Sequence, residues 1–144
     1  MRSVVHKAFE QIRDHGSVQL FKSDRPDYKD GEQIRDFVYV KDVVDMTLYF
    51  LDHPEKNGLY NIGTGNPRTW NDLAAAIFRA IGKPVQIEYI DMPAHLKEKY
   101  QYFTAAEMGK LRKAGYSKQI SSLESGVTDY VQNYLLKNKY LGDE

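Results

Sequence analysis

The sequence predicts an α/β fold with α+β character. Apolar residues recur at helical spacing in several stretches, short β-rich runs stand between them, and Gly, Pro and capping residues mark the boundaries. A length of 144 residues fits one domain or a piece of one. A chain near that size buries roughly 70% of the surface its unfolded form exposes, enough for a core.

The elements follow in order. Ser3 caps a helix carrying Val4, Val5, Ala8, Phe9 and Ile12, and Gly16 stops it. Val18–Phe21 reads as a short strand. Lys22–Ile34 is a long polar connection holding Pro26, Asp27 and Gly31, a length typical of binding loops or disordered segments. Arg35–Val40 is rich in aromatic and β-branched residues and reads as a strand. Asp42–Asp52 follows as a helix nearly encircled by apolar residues, which predicts burial on more than one side. Leu59–Ile62 is a candidate strand ending in Gly63-Thr64-Gly65. Thr69-Trp70-Asn71-Asp72 is a capping box for a helix with Trp70, Leu73, Ala74, Ile77, Phe78 and Ile81 on one stripe. Gly82 and Pro84 end it. Val85, Ile87 and Tyr89 alternate with polar residues as a half-buried strand. Met92-Pro93 opens a polar segment through Tyr102. Thr104–Glu107 forms a second capping box before a short helix that Gly115 ends. Ser121 or Ser122 caps a last helix through about Tyr140.

Composition excludes several classes. Twenty basic and twenty acidic residues cancel, so no general attraction draws the chain to nucleic acid or an anionic membrane. The chain has no cysteine, which removes disulfides, thiolate metal sites and thiol nucleophiles. His6, His15, His53 and His95 lack zinc-type spacing. No apolar run approaches the ~20 residues of a membrane span. A cytoplasmic location without membrane contact is the expectation.

Few residues read as chemistry. Gly63-Thr64-Gly65 suggests a dinucleotide loop, but the third glycine position holds Arg68 and Pro67 intrudes, so a plain turn fits better. Arg35, at the join of the polar loop and an apolar strand, can present its planar fork to a phosphate. Asp36 can orient that guanidinium or pair with it, and from the residues alone a surface ion pair is the better account of both. Tyr100, Gln101, Tyr102 and Phe103 can stack a base or sugar, or form a small cluster under a loop.

The run Arg35-Asp36-Phe37-Val38-Tyr39-Val40-Lys41-Asp42-Val43, followed by Tyr60-Asn61-Ile62-Gly63-Thr64-Gly65, resembles the C-terminal half of extended short-chain dehydrogenase/reductases. Tyr89–Pro93, Leu96, Tyr100-Gln101, Phe103-Thr104, Met108, Leu111-Arg112 and Ala114-Gly115-Tyr116 are similar to the narrower family of ADP-glyceromanno-heptose 6-epimerases. The resemblance runs from about Met1 to Leu135.

That resemblance implies a two-domain enzyme of lipopolysaccharide heptose biosynthesis. An N-terminal Rossmann domain holds NADP and a Tyr-x-x-x-Lys pair, and the C-terminal part binds the ADP-sugar. The implied chemistry is oxidation at C6 of the heptose and re-reduction from the opposite face. The Tyr-Lys pair makes a tyrosinate base, because a nearby ammonium favours the ionised phenol. None of the eleven tyrosines here has a lysine four residues on. The expectation is therefore that residues 1–144 form a single substrate-binding domain or fragment, catalytically incomplete, with the NADP domain absent. The family is oligomeric, which implies a homo-oligomer for the whole enzyme.

By the same resemblance, Phe21, Lys22, Ser23 and Asp24 lie against the substrate, Arg35 on the diphosphate, and Tyr100 at the nucleotide-sugar. Lys7 falls where relatives often carry a substrate-contacting His. Trp70, Ile77 and Phe78 read as core, and Tyr130 and Tyr134 as helix-face packing. A free-standing nucleotide-sugar binding module, or a fragment of a sibling UDP-sugar epimerase or dehydratase, are the alternative readings.

Overall fold

A computed structural model describes residues 3–140. Met1 and Arg2, where the family resemblance begins, lie outside the described residues. Helix α1 spans Val4–His15; the Ser3 hydroxyl accepts from the His6 amide at 3.1 Å, and Gly16 closes the helix at φ 77°. Strand β1, Val18–Phe21, pairs in parallel with β4, Ile87–Ile90, placing Val18 opposite Ile87 and Phe21 opposite Ile90. Strand β2 is Ile34–Arg35 and pairs antiparallel with β3, Arg68–Thr69. Ile34 also bridges Phe103.

The helices between are α2 (Val40–Asp52), α3 (Trp70–Ile81), α4 (Ala94–Lys97), α5 (Gly109–Lys113) and α6 (Leu123–Tyr130). The Thr69–Asp72 capping box forms as the sequence predicts, and Ser122 caps α6. α6 runs into a π-helical turn, Val131–Leu135, and the helix stops there rather than near Tyr140. The short α4 lies in a segment the sequence marks only as polar.

The main core sits between α1, α3, α6 and the β1–β4 pair. Phe9, Ile12, Val18, Leu73, Ile77, Phe78, Val127 and Val131 fill it. A satellite cluster of Met46, Leu111 and Tyr116, with Tyr49 and Phe50 beside it, fastens α2 to α5. Asp42 is buried and accepts from the Ser121 amide and hydroxyl, each at 3.1 Å, tying α2 to the approach to α6.

Four sequence expectations are corrected. Arg35–Val40 is not a strand beyond Arg35: only Ile34 and Arg35 find ladder partners, and α2 already begins at Val40. Leu59–Ile62 has extended composition but no neighbouring strand among the described residues, so no ladder forms, and Leu59 is 88% exposed. Thr104 does not cap a helix. Its amide donates to the Ile34 carbonyl at 3.2 Å and its hydroxyl accepts from the Asp36 amide at 3.4 Å, so α5 waits until Gly109. α2 buries one side only: Met46 is enclosed, while Val40, Val44, Leu48 and Leu51 form an exposed apolar stripe.

The long loop after β1 is organised. Asp30 Oδ1 accepts from the Ser23 amide at 2.8 Å. Gln33 is buried and its Nε2 donates to the carbonyls of Phe21 and Lys22 at 3.3 and 3.4 Å. Gly31 sits at φ 72°, and a Cβ there would fall 2.0 Å from Asn71 Oδ1. Its carbonyl accepts from the Asn71 amide at 3.0 Å, while Asn71 Nδ2 donates to the Asp30 carbonyl at 3.0 Å. The loop is thereby clamped to the first turn of α3. Among the described residues no helix is long and apolar enough to cross a membrane.

Candidate functional site

Strand β1, the inner faces of α1 and α3, and the segment after α4 surround a cleft of about 340 Å³. Its walls include Val4, Leu20, Phe21, Leu73, Ala74 and Trp70, with Lys7 and Tyr100 among the polar-tipped lining residues. Ligand pockets usually hold ~300–1,000 Å³. A cleft of this size has room for about one ring system.

Arg35 stands beside the cleft. Its guanidinium carbon lies 5.1 Å from the Tyr100 ring centroid and 6.0 Å from that of Trp70. Both rings lie within cation–π range of the guanidinium and hold its position by attraction to their faces. One guanidinium nitrogen donates to the Ile34 carbonyl at 2.8 Å. No ion pair neutralises Arg35 among the described residues. Arg68, opposite it in the β2–β3 register, is held by Asp72 at 3.1 Å and Glu124 at 2.8 Å.

Tyr100 is fixed from several sides. Phe21 meets it edge-on at 6.4 Å and Tyr102 at 5.3 Å. Burial raises the phenol's pKa, against the nearby Arg35 charge, which favours the ionised form. Lys7, on α1, reaches the same cleft, and its ammonium makes no hydrogen bond or ion pair among the described residues.

Asp36 does not pair with Arg35. Its carboxylate accepts from the amides of Thr64 (2.9 Å), Gly65 (3.0 Å) and Ala106 (2.9 Å), and from the Thr64 hydroxyl. Burial alone would raise its pKa, but these hydrogen bonds outweigh burial and hold the carboxyl below its ordinary value. A Cβ at Gly63 would fall 2.4 Å from the Ala106 Cβ and 2.7 Å from Asp36 Oδ2, so only glycine fits there. The Thr64 and Gly65 amides of the Gly-Thr-Gly turn are thus already occupied by a carboxylate. The turn does not fit a dinucleotide pyrophosphate, which needs those amides free.

The remaining expected site residues lie along the loop. Lys22 pairs with Asp91 at 3.0 Å. Asp24 accepts from Lys97 at 2.8 Å, and its amide donates to the Tyr102 hydroxyl at 3.1 Å. The Ser23 hydroxyl turns back to the Arg25 carbonyl at 2.9 Å. The structure thus brings Lys7, Phe21, Tyr100 and Arg35 together, while Lys22, Ser23 and Asp24 form an adjacent rim joined through Tyr102. Trp70, read from sequence as core, packs on the core and also walls the cleft. Gln33 and Asn71, which shape the loop, carry no sequence signal of that role.

A larger groove of about 920 Å³ runs along Phe9, Tyr39, Val44, Tyr130 and Tyr134. Two of the cations there are paired, Lys41 with Asp129 and Arg13 with Asp14, each at 2.7 Å, and His6 Nε2 lies 3.5 Å from Glu10. It therefore offers an anion less than the Arg35 cleft does. Among the described residues no cluster of three or more His, Asp or Glu is placed to hold a metal ion.

The NAD dependent epimerase/dehydratase family matches residues 1–63. A protein of Nitratidesulfovibrio vulgaris named ADP-L-glycero-D-manno-heptose-6-epimerase is 55% identical over 135 residues, covering 94% of this chain and 42% of that protein. Its namesake in Fusobacterium nucleatum is 50% identical over 143 residues, covering 95% of this chain and 43% of that one. This chain is thus similar in sequence to proteins named ADP-heptose 6-epimerases. It spans about two-fifths of the length of the curated relatives it matches. Among solved structures, an ADP-heptose 6-epimerase of Helicobacter pylori superposes with a TM-score of 0.67 at 24% identity, over 92% of this chain and 38% of that one. A UDP-N-acetylglucosamine 4-epimerase of Methanobrevibacter ruminantium, solved with UDP-N-acetylmuramic acid, gives 0.76 at 20% identity, over 95% and 40%. At such identities the superpositions establish a shared fold. The kinship to ADP-heptose epimerases in particular rests on sequence.

Proposed function

We propose that this chain forms the nucleotide-sugar site of an NADP-dependent ADP-heptose 6-epimerase. The observation that carries this is Arg35: a guanidinium with no ion pair among the described residues, in cation–π contact with Tyr100 beside a cleft with room for one ring. In this reading Arg35 meets the diphosphate with two parallel N–H···O bonds, and the apolar walls take a flat or sugar ring. Lys7 adds a second positive charge as a point donor. Lys22, Ser23 and Asp24 border the far end of the ligand.

NADP chemistry lies outside these residues. The Gly-Thr-Gly turn is closed by Asp36, and no Tyr-x-x-x-Lys pair is present in the sequence. In the proposal the cofactor belongs to a preceding Rossmann domain, and residues 1–144 act as the substrate-binding part of the C-terminal half. The 55% identity to an ADP-heptose epimerase supports ADP over UDP as the nucleotide.

Competition between ADP-mannose and UDP-glucose for the chain tests the choice. Preference for the ADP-sugar is the expected result, and preference for the UDP-sugar would move the chain to a sibling epimerase or dehydratase. An epimerase assay on the chain joined to the cofactor domain of a relative separates an enzyme part from a free-standing binding module.

A further inference from the structure

Trp70 Nε1 is a buried side-chain polar atom with no hydrogen-bond partner among the described residues. Buried donors are nearly always satisfied, and an orphan at a ligand cleft calls for an explanation. Its ring is held firmly: Phe37 meets it edge-on at 5.2 Å, and Arg35 lies over its face. The Tyr100 phenol lines the same cleft, under the same guanidinium. The Tyr100 hydroxyl itself donates to no group among the described residues. A phenol oxygen can accept one hydrogen bond while its proton is donated elsewhere.

We propose that Trp70 is a positioning residue for Tyr100. Its indole N–H takes the acceptor side of the Tyr100 hydroxyl, so that the phenolic proton points into the cleft and is donated to a phosphoryl oxygen of the bound nucleotide-sugar. This rests on the reading that the cleft binds a nucleotide-sugar. In this proposal the phenol turns to meet the indole N–H, and a ligand oxygen drawn in by Arg35 supplies the acceptor for its proton. The relay is cooperative, because a hydroxyl that accepts a hydrogen bond becomes a better donor. It makes Trp70 a determinant of affinity without any contact between the indole nitrogen and the ligand.

The test uses ADP-mannose as probe and the variants Trp70→Phe, Tyr100→Phe and the double variant. Trp70→Phe keeps a ring and removes only the N–H and part of the indole. Each single variant is expected to weaken binding about 5- to 10-fold, and the double variant no more than Tyr100→Phe alone, since both act through one hydroxyl. Unchanged affinity in Trp70→Phe, or fully multiplying effects, overturns the proposal. A second readout needs no ligand. The tyrosinate absorbance step that Tyr100→Phe removes should move to higher pH in Trp70→Phe, because a donor to the phenolate is lost; an unmoved step overturns the pairing. Trp70 is also the sole tryptophan, so its emission reports this site alone. Should Trp70→Phe fail to fold, the emission shift on ADP-mannose binding must be present in the wild-type chain and absent in Tyr100→Phe. A shift that survives in Tyr100→Phe overturns the relay. Failure of the wild-type chain to bind ADP-mannose overturns the functional reading and the donor role together, and the absorbance step then decides the Trp70–Tyr100 pair by itself.

Discussion

Arg35 and Arg68 face each other across the β2–β3 pair, and the two like charges are treated differently. Arg68 is neutralised by Asp72 and Glu124, while Arg35 rests on aromatic faces with no carboxylate partner among the described residues. Like charges directly opposite on a strand pair cost stability. An anionic ligand removes that cost at Arg35. Arg68→Ala should therefore lower the melting temperature, whereas Arg35→Ala should leave it unchanged or raise it slightly. Thermal melts of both variants check this.

Asp36 supports the floor on which Arg35 stands. Replacing it with Ala strands three amides that now share one carboxylate. The expected loss is on the order of 2 kcal/mol of folding stability, the scale of a hydrogen bond to a charged group. Urea unfolding measures it. Hydrogen exchange at Thr64, Gly65 and Ala106 should accelerate in the variant.

The acid limb of stability has a definite sign. Asp129 is held down to about 2 by Lys41, then by the Tyr39 hydroxyl and Asn133. Asp36 also sits below its ordinary 3.8. A carboxyl depressed in the folded state contributes stability above its unfolded pKa and loses it as pH falls toward the folded one. Melting temperature should therefore hold above about pH 4 and fall between there and about pH 2. Asp129→Asn should flatten part of that fall, which a pH series of melts would show.

How much of this was legible in the sequence differs element by element. α1 and α3 were, because Ser3, Gly16, Thr69 and Gly82 act locally on the turns they cap. Strand β1 was, since Val18, Leu20 and Phe21 make a short apolar run bounded by Gly16 and a polar loop. Leu59–Ile62 was not, since strand composition creates a ladder only where a neighbour offers one. Thr104 carries a capping signal that a tertiary contact with Asp36 overrides. At the site, Arg35 and Tyr100 were nameable from their motifs, but the stacking that unites them comes from residues 65 apart in sequence. Trp70 was read as core because its stripe position shows packing and says nothing of what the indole nitrogen meets.

The apolar stripe of α2 has a consequence in solution. Val44, Leu48 and Leu51 are 50%, 48% and 73% exposed, and exposed apolar patches promote association. The 144-residue chain should self-associate at high concentration, and Leu48→Glu with Leu51→Glu should reduce its mass in light scattering. A wild-type chain that stays monomeric would remove this expectation.

The most direct measurement is a calorimetric titration of ADP-mannose into the 144-residue chain and into its Arg35→Ala variant. Saturable binding is expected in the first. Loss of a charge-assisted bond worth about 1.5–3 kcal/mol should weaken the second about 10- to 150-fold. Equal affinity in the two proteins, or no binding to the wild-type chain, would contradict the assignment of this cleft to a nucleotide-sugar.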